Sequence, residues 1–108
     1  MPAQHLDASN FQSTLDSAQT PVLVDFFAQW CGPCQMVGPM LEQLAAEWAG
    51  HIKIGKLDMD QNPMTPSRFA VQSVPTLLFF NGGQLVQTLI GAQSKAAIVK
   101  VLRSLVAG

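Results

Sequence analysis

Two cysteines, Cys31 and Cys34, are the side chains of this chain best suited to chemistry, and they are its only cysteines in 108 residues. They lie three apart in the segment Trp30-Cys31-Gly32-Pro33-Cys34. A pair at this spacing can exchange disulfides with an outside thiol, contribute to a metal site, or close a structural disulfide. The sequence around the pair distinguishes these possibilities.

An apolar run precedes the cysteines, and a helical pattern follows them. Residues 21–28 predict a buried strand, and an apolar period of 3.6 residues begins at the pair. At a helix N-terminus the first N–H groups lack partners and the macrodipole is positive, which should lower the pKa of Cys31 below that of a free thiol. We therefore predict that Cys31 is the reactive thiol. Cys34, one turn further in and more buried, would be the resolving thiol.

A structural disulfide and a metal knuckle are the alternatives. Closing a four-residue loop stabilises a fold by only about 1.9 kcal/mol in the chain-entropy model, against about 4.7 kcal/mol for a hundred-residue loop. Structural zinc takes four ligands, but His5 and His51 are far from the pair in sequence and there is no second Cys-x-x-Cys. The pattern favours redox chemistry, and we predict no metal and no cofactor.

Asp25 is the one charged residue in the predicted strand of residues 22–28. A buried carboxylate is costly unless it is paired, so desolvation should raise its pKa. Placed just before the cysteines, it is suited to take the proton of Cys34 and to return it on the reverse step. Lys56 is its candidate partner, because alternation in residues 52–57 puts this lysine on an apolar face. The alternatives are a buried structural Asp25 bonded to backbone or water, and an exposed Lys56 that snorkels to solvent.

Composition predicts a single domain, residues 1–108, with an apolar core. Hydrophobic residues make up 48% of the chain and charged residues 12%, with a net charge of −1 and no basic block. This balance argues against nucleic acid or anionic membrane as partners, and no apolar run approaches the roughly 20 residues of a membrane span. The first seven residues do not resemble a signal peptide. We expect a cytoplasmic monomer whose partners are proteins or small thiols.

The remaining elements are predicted from apolar periodicity and turn residues. The first half should contain a weak strand within 2–6, a helix opened by a Ser9/Gln12 capping box, a strand over 22–28, and a helix over 34–48 kinked at Pro39. The second half should contain a strand over 52–59, a short helix within 62–69, a strand over 77–80, a hairpin turn at 81–83, a strand over 84–90, and a helix capped by Ser94. The long helix should bury Val37, Leu41, Leu44 and Trp48, with Glu42 and Glu47 off that stripe. The last helix should bury Ile98, Val101, Leu102 and Leu105.

The resulting order, β-α-β-α-β-α-β-β-α with Trp-Cys-Gly-Pro-Cys at the second strand-to-helix junction, resembles the thioredoxin family over nearly the whole chain. The matching segments are Val-Asp-Phe at 24–26, residues 30–34, Pro39, Lys-Leu-Asp at 56–58, Asp-Gln-Asn-Pro at 60–63, Val-Pro-Thr at 74–76, and Gly91-Ala92. The resemblance implies an α/β thioredoxin fold, in which helices flank a central mixed β-sheet on both faces.

The resemblance also implies roles for individual residues. Cys31 would attack a substrate disulfide and Cys34 would resolve the mixed disulfide, while Asp25, with Lys56 close to it, would accept the proton. The peptide bond before Pro75 would be cis, with the proline facing the sulfurs and the backbone of residue 74 pairing with the substrate. The implied docking surface, including that backbone, is formed by Trp30, Gly32, Pro33, Val74, Pro75, Ile90, Gly91 and Ala92. From the sequence alone, Trp30 equally fits an ordinary core residue.

The function that the resemblance implies is protein-disulfide reduction by a redox carrier. Electrons would come from an NADPH-dependent thioredoxin reductase, and the substrates would be disulfide-containing proteins. In this family a histidine between the cysteines is associated with oxidases and isomerases, so its absence here favours reduction. The alternative is a thioredoxin-fold binding module, a subunit or chaperone with incidental cysteines. The chain departs from the best-known bacterial members at Phe27, Gln35 and Ser73, and Gln35 removes a positive charge beside Cys34, which bears on the choice of partners.

Overall fold

The computed structural model describes residues 3–107, and its elements follow the predicted order. The strands are β1 (Gln4–Leu6), β2 (Val22–Phe27), β3 (Lys53–Asp58), β4 (Thr76–Asn81) and β5 (Gln84–Ile90). The helices are α1 (Phe11–Ser17), α2 (Gly32–Glu47), α3 (Met64–Arg68) and α4 (Lys95–Ala107). The weak first strand predicted within 2–6 is present as β1, and residue 2 lies outside the described range.

The five strands form one mixed sheet in the order β1-β3-β2-β4-β5. β1 and β2 run parallel to β3, whereas β4 is antiparallel to both β2 and β5. Asp25 on β2 is the register partner of Lys56 on β3, and Lys56 is in turn the partner of His5 on β1. Directly paired residues share a face of the sheet, so these three side chains form a row across it.

Separate apolar clusters cover the two faces of the sheet. The cluster against α2 and α4 includes Leu23, Leu41, Leu44, Phe79, Ile98 and Leu102. The cluster against α1 includes Phe11, Leu15, Val24, Phe26, Leu78 and Phe80. Because successive side chains of a strand point to opposite faces, β2 supplies both clusters and is buried on both sides. The sheet is therefore flanked by helices on both faces, as predicted.

The predicted capping box at the start of α1 is wrong. The helix begins at Phe11, and its N-cap, Asn10, makes no side-chain capping bond. Asp7 organises the turn instead, since its Oδ1 accepts from the Ser9 N–H at 2.8 Å, the Ser9 hydroxyl at 2.5 Å and the Asn10 N–H at 3.1 Å. These hydrogen bonds lower the pKa of Asp7. The Ser9 N–H, which the Gln12 side chain would accept in a capping box, thus donates to an ionised carboxylate instead, and Asn10 rather than Ser9 is the N-cap.

Helix α2 starts two residues earlier than predicted, at Gly32, with Cys31 as its N-cap and Pro33 in the first turn. The extension is favourable because a proline at this position gives up only an N–H that has no helical partner. The buried side chains of the helix include Val37, Leu41 and Leu44, as predicted, whereas Trp48 is half-buried. Pro39 lies inside the helix, and the kink expected there stays a prediction.

The C-terminal elements follow the predicted turn and cap signals. Gly82 and Gly83 connect β4 to β5 with φ of 61° and 81°, a conformation that favours glycine. The Ser94 hydroxyl accepts from the Ala97 N–H at 3.1 Å, which confirms the predicted cap of α4. On α4, Ile98 and Leu102 are fully buried, while Val101 and Leu105 pack at the margin of the core. Within residues 3–107, no helix is long and apolar enough to cross a membrane.

Candidate redox site

A disulfide joins Cys31 to Cys34 at the start of α2, with their Cα atoms 5.3 Å apart. Cys31 has extended backbone dihedrals as the helix N-cap, and its Sγ accepts from the Cys34 N–H at 3.2 Å. One of the unpaired N–H groups of the helix terminus thus points at the Cys31 sulfur. After reduction the same group and the helix dipole would stabilise a thiolate at Cys31 and lower its pKa.

The two cysteines are equally shielded in the disulfide form. Cys31 is 4% exposed and Cys34 is 5% exposed. Both belong to a small apolar cluster with Ala28, against which Phe27 and Val74 pack. The prediction that Cys34 is the more buried residue is wrong for this form, because the disulfide holds both side chains in one cluster. The helical N–H directed at Cys31, rather than exposure, distinguishes the two sulfurs.

Asp25 is a buried carboxyl group with an unusual environment. The residue is 1% exposed, and neither carboxyl oxygen has a hydrogen-bond partner within residues 3–107. Burial raises the pKa of Asp25 to about 7, and the charge of Lys56 opposes part of that rise. The raised pKa predicted from the sequence is confirmed. A carboxyl group with a pKa near neutrality can both take up and release a proton at physiological pH.

A cavity of about 670 Å³ connects Asp25 with the disulfide. Its lining includes Asp25 and Cys34 together with the charged or titratable side chains of His5, Glu42 and Lys56. Phe27 and Pro39 supply apolar wall. The structure therefore brings the predicted proton acceptor and the predicted resolving thiol into one space that is open to solvent.

Lys56 lies in this cavity and makes its ion pair with Glu42. The distance from Lys56 Nζ to Glu42 Oε2 is 3.5 Å, and the ammonium lies 5.6 Å from the centroid of the Phe27 ring. Its side chain is 20% exposed, and the carboxylate that pairs with it belongs to Glu42 rather than to Asp25. Glu42 was missed by the sequence analysis, which placed it off the buried stripe. The available signal was Lys56 itself, because an ammonium on an apolar strand face requires a carboxylate nearby.

The predicted docking residues differ in exposure. Trp30 is 72% exposed and Ile90 is 68% exposed, which excludes a core position for Trp30. Gly32, Pro33 and Ala92 are exposed as well, whereas Val74 and Gly91 are half-buried and Pro75 is buried. Five further large apolar side chains, none of them predicted as docking residues, are also exposed: Met36, Met64, Leu85, Val86 and Val106.

Hydrogen bonds hold the loops around the disulfide. The Trp30 Nε1–H donates to Asp60 Oδ2 at 2.7 Å, and the Gly91 N–H donates to the Pro75 carbonyl at 2.8 Å. The Val74–Pro75 peptide bond is cis, as the resemblance implied. A direct contact of Pro75 with the sulfurs stays a prediction. Among residues 3–107, no group of three or more His, Cys, Asp or Glu side chains is arranged to hold a metal ion.

Comparison with known proteins agrees with this geometry. The thioredoxin family model matches residues 2–104. A thioredoxin from Haemophilus influenzae is 43% identical over 98 residues, which cover 91% of this chain and 92% of the relative. A thioredoxin from Mycobacterium bovis is 49% identical over 100 residues, covering 93% and 85%. The solved structure of a mutant thioredoxin from Halobacterium salinarum superimposes with a TM-score of 0.89 at 31% identity, covering 96% of this chain and 90% of the other.

Two features define this protein as one that exchanges dithiols and disulfides. They are the mixed sheet with helices on both faces and the Cys-x-x-Cys disulfide at a helix N-terminus. The family model and the relatives narrow that class, and the chain belongs to the thioredoxin family. Its function is protein-disulfide reduction through Cys31 and Cys34.

Proposed function

We propose that Cys31 is the attacking thiolate, Cys34 the resolving thiol and Asp25 the proton acceptor of this reductase. In the reduced protein, the Cys31 thiolate attacks one sulfur of a substrate disulfide, and the other substrate sulfur leaves as a thiolate. Asp25 then takes the proton of Cys34. The Cys34 thiolate attacks the Cys31 sulfur of the mixed disulfide and expels the second substrate thiolate. The substrate gains two electrons, and the chain is left with the Cys31–Cys34 disulfide.

The observation that carries this assignment is the Cys34 N–H directed at Cys31 Sγ at 3.2 Å. A donor at a helix N-terminus favours negative charge on the sulfur that accepts from it, so Cys31 is the better nucleophile and the better leaving group. The role of Asp25 is supported by its raised pKa and by the cavity that it shares with Cys34. Lys56 belongs to the same machinery, because its charge acts on Asp25.

The substrate chain would dock on the surface around the disulfide. Trp30 and Ile90 supply exposed apolar area. The other surface residues of the proposed dock have short or compact side chains that would leave room for an approaching backbone: Gly32, Pro33, Gly91 and Ala92. Val74 packs against the cysteine cluster, and its backbone would pair with the substrate strand, next to Pro75. Such a surface would select substrates that present a disulfide in an extended segment, and it would not select them by their pattern of charges.

Electrons would be supplied by an NADPH-dependent thioredoxin reductase, and the substrates would be disulfide-containing proteins. A relative from Mycobacterium leprae named bifunctional thioredoxin reductase/thioredoxin supports the first partner, since it is 48% identical to this chain over 100 residues that cover 22% of its own length. The net charge of −1 supports neither a nucleic acid nor a membrane partner. We further propose that the chain works as one thioredoxin domain, residues 1–108, in the reducing setting of the cytoplasm and as a monomer.

The test is insulin reduction with dithiothreitol, using Cys31→Ser and Cys34→Ser as matched variants. Each variant loses one sulfur and the disulfide, so the two share any effect on stability. We expect Cys31→Ser to abolish catalysis. Pre-reduced Cys34→Ser, mixed with insulin after the dithiothreitol has been removed, should accumulate a covalent complex with the substrate, visible by non-reducing electrophoresis. Insulin reduction that survives in Cys31→Ser would reject the assignment and would favour a binding module with incidental cysteines. A complex trapped by Cys31→Ser instead would reverse the two roles.

A further inference from the structure

Glu42 is held from two sides on the face of α2 that covers the cavity. Its Oε1 accepts from the Ala3 N–H at 3.2 Å. Its Oε2 is buried, accepts no hydrogen bond within residues 3–107, and lies 3.5 Å from Lys56 Nζ as an ion pair. The side chain is 25% exposed and Ala3 is 2% exposed. The hydrogen bond at one oxygen and the ion pair at the other hold the carboxylate beside Lys56. Glu42 is therefore a fixed negative charge beside Lys56 rather than a mobile surface group.

Lys56 lies between two carboxyl groups. It is the register partner of Asp25 on the neighbouring strand, so both side chains emerge on the same face of the sheet. Within residues 3–107, Lys56 forms an ion pair with Glu42 and with no other carboxylate. Over the same residues, Asp25 forms neither an ion pair nor a hydrogen bond through its carboxyl oxygens. Gly38 borders the ammonium on the helix side, where an added Cβ would lie 3.7 Å from Nζ. Glu42 and Asp25 thus compete for one cation, and the geometry favours Glu42.

We propose that Glu42 is a positioning residue for proton transfer, because its carboxylate binds the Lys56 ammonium and keeps that ammonium from pairing with Asp25. The inference rests on the role proposed above for Asp25 as the acceptor of the Cys34 proton. A carboxylate in direct contact with an ammonium group stays ionised to low pH and is a weak base. By engaging Lys56, Glu42 leaves Asp25 basic enough to accept a proton at neutral pH.

The groups that face Asp25 come from every neighbouring element. Lys56 is on β3, Glu42 and Cys34 are on α2, and His5 is on β1. On β4 the register partner of Asp25 is Leu77, which carries no charge. Of these groups, Lys56 is the one whose charge opposes the effect of burial on Asp25. An effect of Glu42 on Asp25 should therefore be transmitted through Lys56.

The decisive variant is Glu42→Gln, studied in the disulfide form by carbon-13 NMR of the Asp25 side-chain carboxyl carbon as a function of pH. Glutamine keeps a side-chain oxygen for the Ala3 N–H but removes the charge that binds Lys56. The released ammonium should turn to Asp25, so the titration midpoint of Asp25 should fall by about 0.5 to 1 pH unit. The resonance of this carbon separates Asp25 from the other titrating groups in the cavity.

Glu47→Gln is the matched control, since Glu47 lies on the same helix and pairs with Lys95 at 3.1 Å, with 45% of its side chain exposed. This variant loses the same charge and one ion pair away from the cavity, so the Asp25 midpoint should not move. Lys56→Met tests whether Glu42 acts on Asp25 through Lys56. When Lys56 is already replaced by methionine, adding Glu42→Gln should leave the Asp25 midpoint unchanged. The proposal would be overturned if Glu42→Gln and Glu47→Gln shifted the Asp25 midpoint equally. It would also be overturned if Glu42→Gln shifted that midpoint by the same amount in the parent protein and in Lys56→Met.

Lys56→Met also covers the case in which Glu42→Gln does not fold. Removal of the ammonium alone should raise the Asp25 midpoint, and an unchanged midpoint would show that Lys56 has no influence for Glu42 to control. The titration uses the oxidised protein without substrate, so it is independent of the reductase assignment. Failure of Asp25→Asn to slow the resolving step would reject Asp25 as proton acceptor, whereas an unmoved Asp25 midpoint in Glu42→Gln would reject only the positioning role.

Discussion

Asp25 shows most directly how the environment of one residue prepares it for chemistry. The residue is only 1% exposed although it lines the cavity, and burial disfavours the ionised form of its carboxyl group. The charge of Lys56 offsets this effect only in part. The result is a carboxyl group with a pKa of about 7, compared with an ordinary value of 3.8. Such a group is suited to exchange a proton with a neighbouring thiol at physiological pH.

The first prediction at this scale concerns Asp25→Asn and the pH dependence of stability. Because the folded state binds an extra proton at Asp25 between its unfolded and folded pKa values, the free energy of unfolding falls as pH rises through that window. Asparagine abolishes this loss. Relative to the parent protein, Asp25→Asn should gain stability from about pH 4 to about pH 8, by up to about 4 kcal/mol. Urea unfolding at the two pH values measures the gain, and a difference that is independent of pH would contradict it.

The same variant tests the catalytic role of Asp25. Asp25→Asn should slow the resolution of a mixed disulfide by Cys34 more than the initial attack by Cys31, because it removes the acceptor for the Cys34 proton. General bases of this kind contribute roughly a hundredfold or more to a rate. Stopped-flow measurement of the two steps with a chromogenic disulfide separates them. Equal slowing of both steps would argue against proton transfer to Asp25.

At the scale of elements, the turn after β3 positions a side chain that reaches the redox site. The Asp58 carboxylate accepts from the N–H groups of Asp60 at 2.9 Å and Gln61 at 3.4 Å, and Asn62 Nδ2 donates to the Asp58 carbonyl at 3.1 Å. Asp58 is 8% exposed, so the turn is anchored in the interior. It presents Asp60 to the indole of Trp30. The exposed tryptophan beside the disulfide is thus oriented by a neighbouring element.

Asp60→Ala should release that indole. The hydrogen bond from Trp30 Nε1 has a charged acceptor, and its loss should speed exchange of the indole hydrogen about tenfold, equivalent to about 1.4 kcal/mol. Hydrogen exchange followed by nitrogen-15 NMR reports this directly. Trp48, the only other tryptophan, is an internal control in the same spectrum, and its exchange should not change. Unaltered exchange at Trp30 would mean that Asp60 does not hold the ring.

At the scale of the whole molecule, the redox disulfide is separate from the main core. The two large apolar clusters cover opposite faces of the sheet. Cys31 and Cys34 belong to a third, small cluster at the start of α2. Reduction of the disulfide therefore removes no contact from either large cluster. A redox carrier needs this arrangement, because it must remain folded in both oxidation states.

Reduction by dithiothreitol should consequently leave the protein folded. The disulfide closes a loop of only four residues, so its removal should lower the free energy of unfolding by about 2 kcal/mol or less. Far-UV circular dichroism and urea unfolding with and without reductant measure the effect. A variant with both cysteines replaced by serine should not respond to reductant. A chain that unfolds on reduction would show that the disulfide is structural after all.

Local patterns in the sequence were sufficient to predict the order of elements, the hairpin at Gly82 and Gly83, the Ser94 cap and the cysteine pair at a strand-to-helix junction. Each of these depends on residues close together in the chain. The Ser9/Gln12 capping box failed because Asp7, two residues before Ser9, accepts the Ser9 N–H that Gln12 would have accepted. The raised pKa of Asp25 was predictable, since an acid in a doubly buried strand must be desolvated.

The sequence by itself indicated redox chemistry and a buried acid, because both follow from local pattern: two cysteines three residues apart after an apolar strand, and one carboxyl group inside that strand. Lys56 was predicted from the sequence as the candidate partner of Asp25, but only the tertiary structure showed that Lys56 forms its ion pair with Glu42. Glu42 and Lys56 are on different elements and meet because α2 packs across β3, while the Ala3 N–H fixes the carboxylate from a third segment. Contacts between distant segments depend on how helices lie on the sheet, and the periodicity of one helix shows which face is apolar but not which charge lies opposite it.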